Sequence, residues 1–258
     1  MIEWNHPVLM FVEGYLSQAV VYFSIATTLY WCVWKLGRRH FQESRLNRTN
    51  ELSPAQLSRE VRNTLLTMIV GTATAVLISI LYAVGVTKLT TDALSLGWPM
   101  IMVTTVGLLF FNDAWFYWCH RLLHHRALFR FVHAEHHRSV NVDPFTSYSF
   151  HWFESFLYGA WVLPATLLVP IYLPMLGLLQ AIGLANNLMS HLGYEFFPRG
   201  LMKVPVVRWI NTATYHALHH TSPSGNFGLM TRLWDRLLGT EVPHYEQAFE
   251  ARDVTQKR

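Results

Sequence analysis

The sequence predicts an all-α fold, an integral membrane helical bundle with a histidine-rich cap on its cytoplasmic side. Three observations predict it. Hydrophobic residues make up 52% of the chain and charged residues only 14%, at a mean hydropathy of +0.21. Four runs of at least 20 residues contain no Asp, Glu, Lys or Arg, and the 258 residues include 14 histidines, ten of them in four clusters. Such a composition excludes a disordered chain and argues against an ordinary soluble domain.

The uncharged runs are 14–34, 64–86, 93–112 and 155–194, or 21, 23, 20 and 40 residues. A helix needs about 20 apolar residues to cross the hydrocarbon core of a bilayer. The fourth run is long enough for two passes, and Pro164, Pro170 and Pro174 interrupt it near its middle. A hairpin of two short helices meeting in a proline-rich turn is therefore expected, giving four or five embedded elements. The first run lacks a positive leader and a small-residue cleavage pattern, and it reads as an anchor rather than a signal peptide.

The basic residues orient the bundle. Lys35, Arg38, Arg39, Arg45, Arg48, Arg59 and Arg62 lie between the first and second runs, whereas only Lys88 lies between the second and third. The first loop is thus expected on the cytoplasmic side. If the proline-broken run dips in and returns, nineteen of the twenty Lys and Arg fall on that face. The net charge of +4 is then a matter of membrane orientation, and no nucleic-acid partner is implied. Cys32 and Cys119 form neither a CxxC pair nor a disulfide framework. No linker divides the chain, which reads as one membrane domain: anchor helices over 1–96, a histidine-rich core over 97–240 and a tail over 241–258.

The clusters are His120, His124 and His125 in HRLLHH, His133, His136 and His137 in HAEHH, His216, His219 and His220 in HALHH, and the single His191 in NNLMSHLGYE. On a helix, positions i, i+3 and i+4 share a face, so each triplet can aim its imidazoles at one point. All ten emerge at the cytoplasmic ends of the expected membrane segments. Imidazole suits Fe, Zn, Cu or Ni, and about four to six ligands surround each ion, so this cap is expected to bind two metals. No Glu-x-x-His falls within the histidine clusters, and no HExxH or zinc-deaminase pattern is present, which argues against the carboxylate-bridged bundles, the metalloproteases and the deaminases. His6, His40 and His244 stand apart and read as interfacial residues. His151, in SFHWFE, is a possible ligand, a partner of one, or a core residue. Asp113 and Glu135 are the carboxylates nearest the clusters, read as orienting imidazole N–H groups or, for the alternative, as ion pairs with Arg121 or Arg138. Asp235 reads as structural.

HRLLHH, HAEHH and HALHH, spaced along these apolar segments, resemble the histidine boxes of the fatty acid hydroxylase and sterol desaturase superfamily of membrane di-iron oxygenases. The resemblance covers 97–240 and extends to Asn112-Asp113-Ala114-Trp115-Phe116-Tyr117, Asn226-Phe227-Gly228 and Trp234-Asp235-Arg236-Leu237-Leu238-Gly239-Thr240. It implies that the ten clustered histidines hold two iron ions, with zinc able to occupy the same cage in recombinant protein. It implies O2 as co-substrate and a membrane lipid as substrate: a fatty acyl chain, a sterol, a sphingoid base or an amino-acid lipid. Hydroxylation and desaturation of an unactivated C–H bond are both compatible with it. Two departures stand out: His151-Trp152-Phe153-Glu154 where many relatives have His-Pro-x-Glu, and Asn187 where some have a further histidine. His6-Pro7 is not followed by the paired glycines of a cytochrome b5 motif, so a separate electron donor of cytochrome b5, ferredoxin or reductase type is expected, in a bacterial inner membrane. The alternatives are a histidine-rich metal transporter and a membrane protein that binds metal without oxygenase activity.

Overall fold

The computed structural model describes residues 6–46 and 51–254. Arg48, Lys257 and Arg258, counted above among the basic residues, lie outside them. Helix α1 (Pro7–Leu29) opens on a proline and continues as a π-helical stretch, Tyr30–Leu36, that stops at Gly37. Helix α2 (Pro54–Ala83) starts where the Ser53 hydroxyl accepts from Gln56 N at 3.1 Å, with Pro54 in the first turn, where its missing N–H is no loss. Helix α3 (Trp98–Leu123) begins after Gly97, whose φ of +76° separates it from a short turn at Ala93–Leu96.

These three helices are long and apolar enough to cross a membrane. Their burial pattern is inverted relative to a soluble bundle. On α2, Asn63, Thr64, Thr67 and Thr72 are buried while Leu66, Ile69 and Leu77 are exposed, and on α3 Met102, Val103 and Phe110 face outward while Asp113 and His120 are buried. Apolar side chains outside and polar ones inside are what a hydrocarbon solvent selects. The third span departs from expectation: it runs eleven residues beyond the uncharged run, to Leu123. Asp113, which ended that run, is not in lipid but accepts hydrogen bonds from the 230–231 loop.

The proline-broken run folds as three helices rather than two. They are α5 (Trp152–Gly159), α6 (Val162–Leu168) and α7 (Leu173–Ser190), following the short α4 (Ala134–His137). Pro164 explains the extra break, because its missing N–H is tolerated only in the first turn of a new helix. At the hairpin's tip, β2 (Ile171–Tyr172) pairs in parallel with β1 (Leu89–Thr90), and Lys88 N donates to Thr166 O at 2.7 Å. The tip therefore meets the loop between α2 and α3, at the end of the bundle away from the histidines.

The other end carries the cap: α8 (Ala213–Thr221), α9 (Leu233–Leu238) and α10 (Tyr245–Ala251). Every residue of α8 from Ala213 to His220 is buried. Arg232, 0% exposed, ties the cap together by donating to Glu241 at 2.7 and 2.8 Å and to Glu246 at 3.1 Å, with its guanidinium 4.2 Å from the Tyr245 ring centroid. On the opposite side, buried Glu60 of α2 accepts from Ser139 at 2.6 Å and Thr146 at 2.8 Å, anchoring the loop that follows α4 to the bundle.

Candidate metal centre

Nine of the ten clustered histidines converge, in two groups. His120, His124, His133, His137 and His219 form one, and His136, His191, His216 and His220 form the other; within each, the ligand atoms lie within 4.8 Å of one another. The last turn of α3 supplies His120 and His124, the π turn Phe129–His133 and α4 supply His133, His136 and His137, the end of α7 supplies His191, and α8 supplies the last three. The i, i+4 pairs His120/His124, His133/His137 and His216/His220 each share a group, whereas the i, i+3 pairs His133/His136 and His216/His219 go to different groups.

The proton positions follow from the partners. His120 Nδ1 lies 2.7 Å from Phe227 O, His219 Nδ1 2.7 Å from Gly225 O, His191 Nδ1 2.8 Å from Asn187 O, His136 Nδ1 3.3 Å from Ser149 O and His133 Nδ1 2.8 Å from Glu154 Oε1. The four carbonyls can only accept, so the Nδ1 of His120, His219, His191 and His136 carries the proton and the Nε2 is left with a bare lone pair; Glu154 does the same for His133 when its carboxyl is ionised. Yet His120 Nε2 and His133 Nε2 are 3.0 Å apart, and His191 Nε2 and His136 Nε2 3.4 Å. Two lone pairs at such distances cannot bond to each other; they need an electrophile between them. The remaining Nε2 contacts are His133 to His137 at 3.1 Å, His137 to His219 at 3.1 Å, His191 to His216 at 2.9 Å and His216 to His220 at 3.2 Å, and the buried Nε2 of His124 has no hydrogen-bond partner among the described residues. For a metal–nitrogen bond of about 2.1 Å, neighbouring ligand nitrogens lie about 3.0 to 3.4 Å apart in octahedral to tetrahedral geometry, so the cage has the dimensions of a coordination shell.

Burial keeps these rings neutral and ready to ligate. It pushes His219 down to about 4 and, with the neighbouring imidazoles, holds His216 and His220 well below the usual histidine range. In the unfolded chain a histidine titrates near about 6.5, so between that value and about 4 the unfolded state binds more protons and folding weakens as pH falls. Chelator-stripped protein should therefore melt at a lower temperature at pH 5 than at pH 7.5, measured by thermal unfolding in detergent; a melting temperature independent of pH would contradict it.

Three sequence expectations need correction. His125 is exposed and outside both groups, because the helix ends at His124 and His125 instead caps the next turn, its Nδ1 accepting from Ala127 N at 3.4 Å. Asp113 orients no imidazole; it accepts from Met230 N, Thr231 N and Thr231 Oγ1 at 3.2, 3.2 and 2.6 Å. Glu135 takes the ion-pair alternative, with Arg138 Nη1 at 2.9 Å and Asn63 Nδ2 donating at 3.1 Å. His151 also stays outside the groups and caps α5 by accepting from Phe153 N. The residue sequence reasoning missed is Glu154, fully buried and bonded to His133. Its signal was the glutamate of His151-Trp152-Phe153-Glu154, where attention went to the histidine. Glu154→Gln keeps an acceptor but loses its charge, so metal affinity should fall about tenfold, and Glu154→Ala should cost about 100-fold, read by competition with a chromogenic chelator; equal affinities across the series would contradict an orienting role.

The carbonyls that hold His120 and His219 come from the 225–228 loop, which is built for close approach. Asp235 accepts from Phe227 N at 2.9 Å, Gly228 N at 2.7 Å and Thr240 Oγ1 at 2.7 Å, and Asn226, at φ +58°, donates to Tyr215 O and accepts from Val242 N. A side chain at Gly228 would collide with Thr231 O. The Asn226-Phe227-Gly228 and Trp234-to-Thr240 stretches thus belong to the centre's support.

Long apolar helices ending in two nitrogen-only groups define a membrane protein with a histidine cage able to hold metal. The chain belongs to the fatty acid hydroxylase family, whose pattern matches residues 104–240. It is 28% identical over 240 residues to the lathosterol oxidase of Rattus norvegicus, covering 92% of this chain and 75% of that protein. It is 32% identical over 167 residues to the C-4 methylsterol oxidase of Schizosaccharomyces pombe (60% and 52%), and 27% identical over 144 residues to methylsterol monooxygenase 1 of Danio rerio (56% and 48%). No solved structure matches the chain.

Proposed function

We propose that this chain is a membrane-bound, O2-dependent oxidoreductase that hydroxylates or desaturates an unactivated C–H bond of a lipid. The observation that carries the proposal is the pair of nitrogen-only groups at one end of the membrane helices, with His136 Nε2 and His191 Nε2 facing each other at 3.4 Å while their Nδ1 atoms lie on backbone carbonyls. Iron suits such a donor set and is the metal proposed, one ion in each group; zinc would fit the same nitrogens. When bound, the iron pair supplies O2 activation and hydrogen abstraction from an unreactive carbon.

The chain's own residues do the rest. Phe227 Gly225, Asn187 and Ser149 carbonyls and the Glu154 carboxylate fix five imidazoles in one tautomer. Phe129, Phe150 and Phe227 pack on the histidines with ring centroids at 5.2 Å from His124, 4.9 Å from His136 and 5.1 Å from His124, which excludes water from the cage. The distribution of basic residues supports a cytoplasmic position for the centre, and the proposed setting is a bacterial inner membrane in which a carrier of cytochrome b5, ferredoxin or reductase type would deliver two electrons. The names of the relatives, sterol oxidases and monooxygenases, support a lipid substrate.

The test is untargeted lipid mass spectrometry under 18O2, comparing cells that express the wild-type chain with cells that express His136→Ala at matched level. A lipid that gains one labelled oxygen, or loses two hydrogens, only in the wild type is the expected result. No such lipid, with iron and reductant supplied, overturns the proposal, and metal flux in sealed vesicles would then favour a transporter.

A further inference from the structure

A cavity of about 510 Å³ opens beside the metal centre between α2, the 130–138 segment and the start of α5. The segment that carries His133, His136 and His137 inward presents Arg130, Ala134 and Arg138 to this cavity at a spacing of four, together with Phe131 and Glu135. Arg62 and Asn63 of α2 line the facing wall. Three guanidinium groups here meet one carboxylate: Glu135 lies 2.9 Å from Arg138 and 3.7 Å from Arg62, while Arg130 rests on the Phe131 ring at 4.4 Å. The surplus is two positive charges, and the Arg62 and Arg138 side chains are 66% and 60% exposed.

The remaining lining is apolar and points outward. Leu66 in α2, Phe131 in the π turn and Trp152 at the start of α5 are 47%, 65% and 55% exposed. At the inner wall stands Phe150, whose ring lies 4.9 Å from His136 and 5.6 Å from Tyr158. Phe150 thus touches both the cavity and a member of the second histidine group. A second, apolar groove of about 530 Å³ between α1 and α2, lined by Tyr15, Leu57, Leu65 and Ile69, shares Arg62 and Leu66 with the first.

We propose that this cavity holds an acidic two-chain membrane lipid as substrate, its anionic head on Arg62 and Arg138, one chain directed across Phe150 to His136 and the other in the groove between α1 and α2. The substrate role rests on the oxygenase reading; the binding site stands without it. Charge complementarity selects the head, since guanidinium groups recognise phosphate and carboxylate oxygens in bidentate geometry. The cavity and the apolar groove, meeting at Arg62 and Leu66, select two chains over one. Because Phe150 both lines the cavity and packs on His136 at 4.9 Å, the oxidised carbon lies near the head rather than at the far end of the chain.

The site is tested by native mass spectrometry of the full-length, metal-loaded protein with an equimolar mixture of dioleoyl phosphatidylglycerol, dioleoyl phosphatidylcholine, oleate and cholesterol. Phosphatidylglycerol should be retained about tenfold over phosphatidylcholine and cholesterol, as one or two charge-assisted hydrogen bonds would give, and about tenfold over oleate, whose carboxylate makes the same bonds but which lacks the second chain. Arg62→Gln with Arg138→Gln should abolish the preference while the metal content per chain stays unchanged. Equal retention of phosphatidylcholine, oleate or cholesterol by the wild type, or an undiminished preference in the double variant, overturns the proposal. The two readings fail separately: retention as expected with no labelled lipid under 18O2 removes the oxygenase and leaves the site, whereas a labelled sterol or other neutral lipid removes the site and leaves the oxygenase.

Discussion

Replacing His216 with alanine is expected to empty the second metal position and to abolish product formation. His216 is the hinge of its group, with Nε2 at 2.9 Å from His191 and 3.2 Å from His220. Its removal leaves three imidazoles where four converge. Losing an orienting partner one bond removed from a metal already costs about 10- to 100-fold in affinity or activity, so losing a direct ligand should exceed about 100-fold. Metal analysis should find about one ion per chain in place of two. The fold should survive, because α8 is also held by its Thr212 cap and by Tyr215 against Tyr245 at 4.8 Å, and a metal-free cage gains little from opposed lone pairs. Full activity with two metals per chain would exclude His216 as a ligand.

Asp235→Ala is expected to be the most destabilising single change in the cap. Its carboxylate accepts three hydrogen bonds at 2.7 to 2.9 Å while fully buried. Hydrogen bonds to a charged group contribute about 1.5–3 kcal/mol each, and the substitution also leaves two buried backbone N–H groups without acceptors, so a loss of about 4 kcal/mol or more is expected in denaturant unfolding. The damage should reach the metal, since the loosened 225–228 loop supplies the carbonyls on His120 and His219. Asp235→Asn keeps an acceptor oxygen and should lose less than half as much. A melting temperature unchanged in Asp235→Ala would refute this account of the loop.

The contrast between Asp113 and Asp235 shows what the sequence could and could not convey. Periodicity and hydropathy are local, and they located the three long helices and the hairpin because a bilayer imposes its thickness on each span independently. Histidine spacing likewise reported which imidazoles share a face, and nine of them meet. The partner of a carboxylate depends on chain segments about 117 residues away, as with Asp113 and the 230–231 loop, and proximity in sequence to a histidine box carries no information about that. His125 failed for a related reason: the spacing assumes that the helix continues, and it ends at His124. Glu154 was overlooked because its bond to His133 joins two elements that only the folded hairpin brings together. The extension of α3 to Leu123 shows the same limit, since counting charges cannot distinguish an Asp in lipid from one buried against a loop.

The most direct test is iron-edge X-ray absorption, with metal analysis, on full-length protein loaded anaerobically with ferrous iron. The account predicts two irons per chain, each in a first shell of nitrogen and oxygen at about 2.1 Å dominated by imidazole scattering, with no sulfur. One iron per chain or none, or a shell dominated by sulfur or by carboxylate oxygen, would contradict the two-group nitrogen cage on which the proposed chemistry depends.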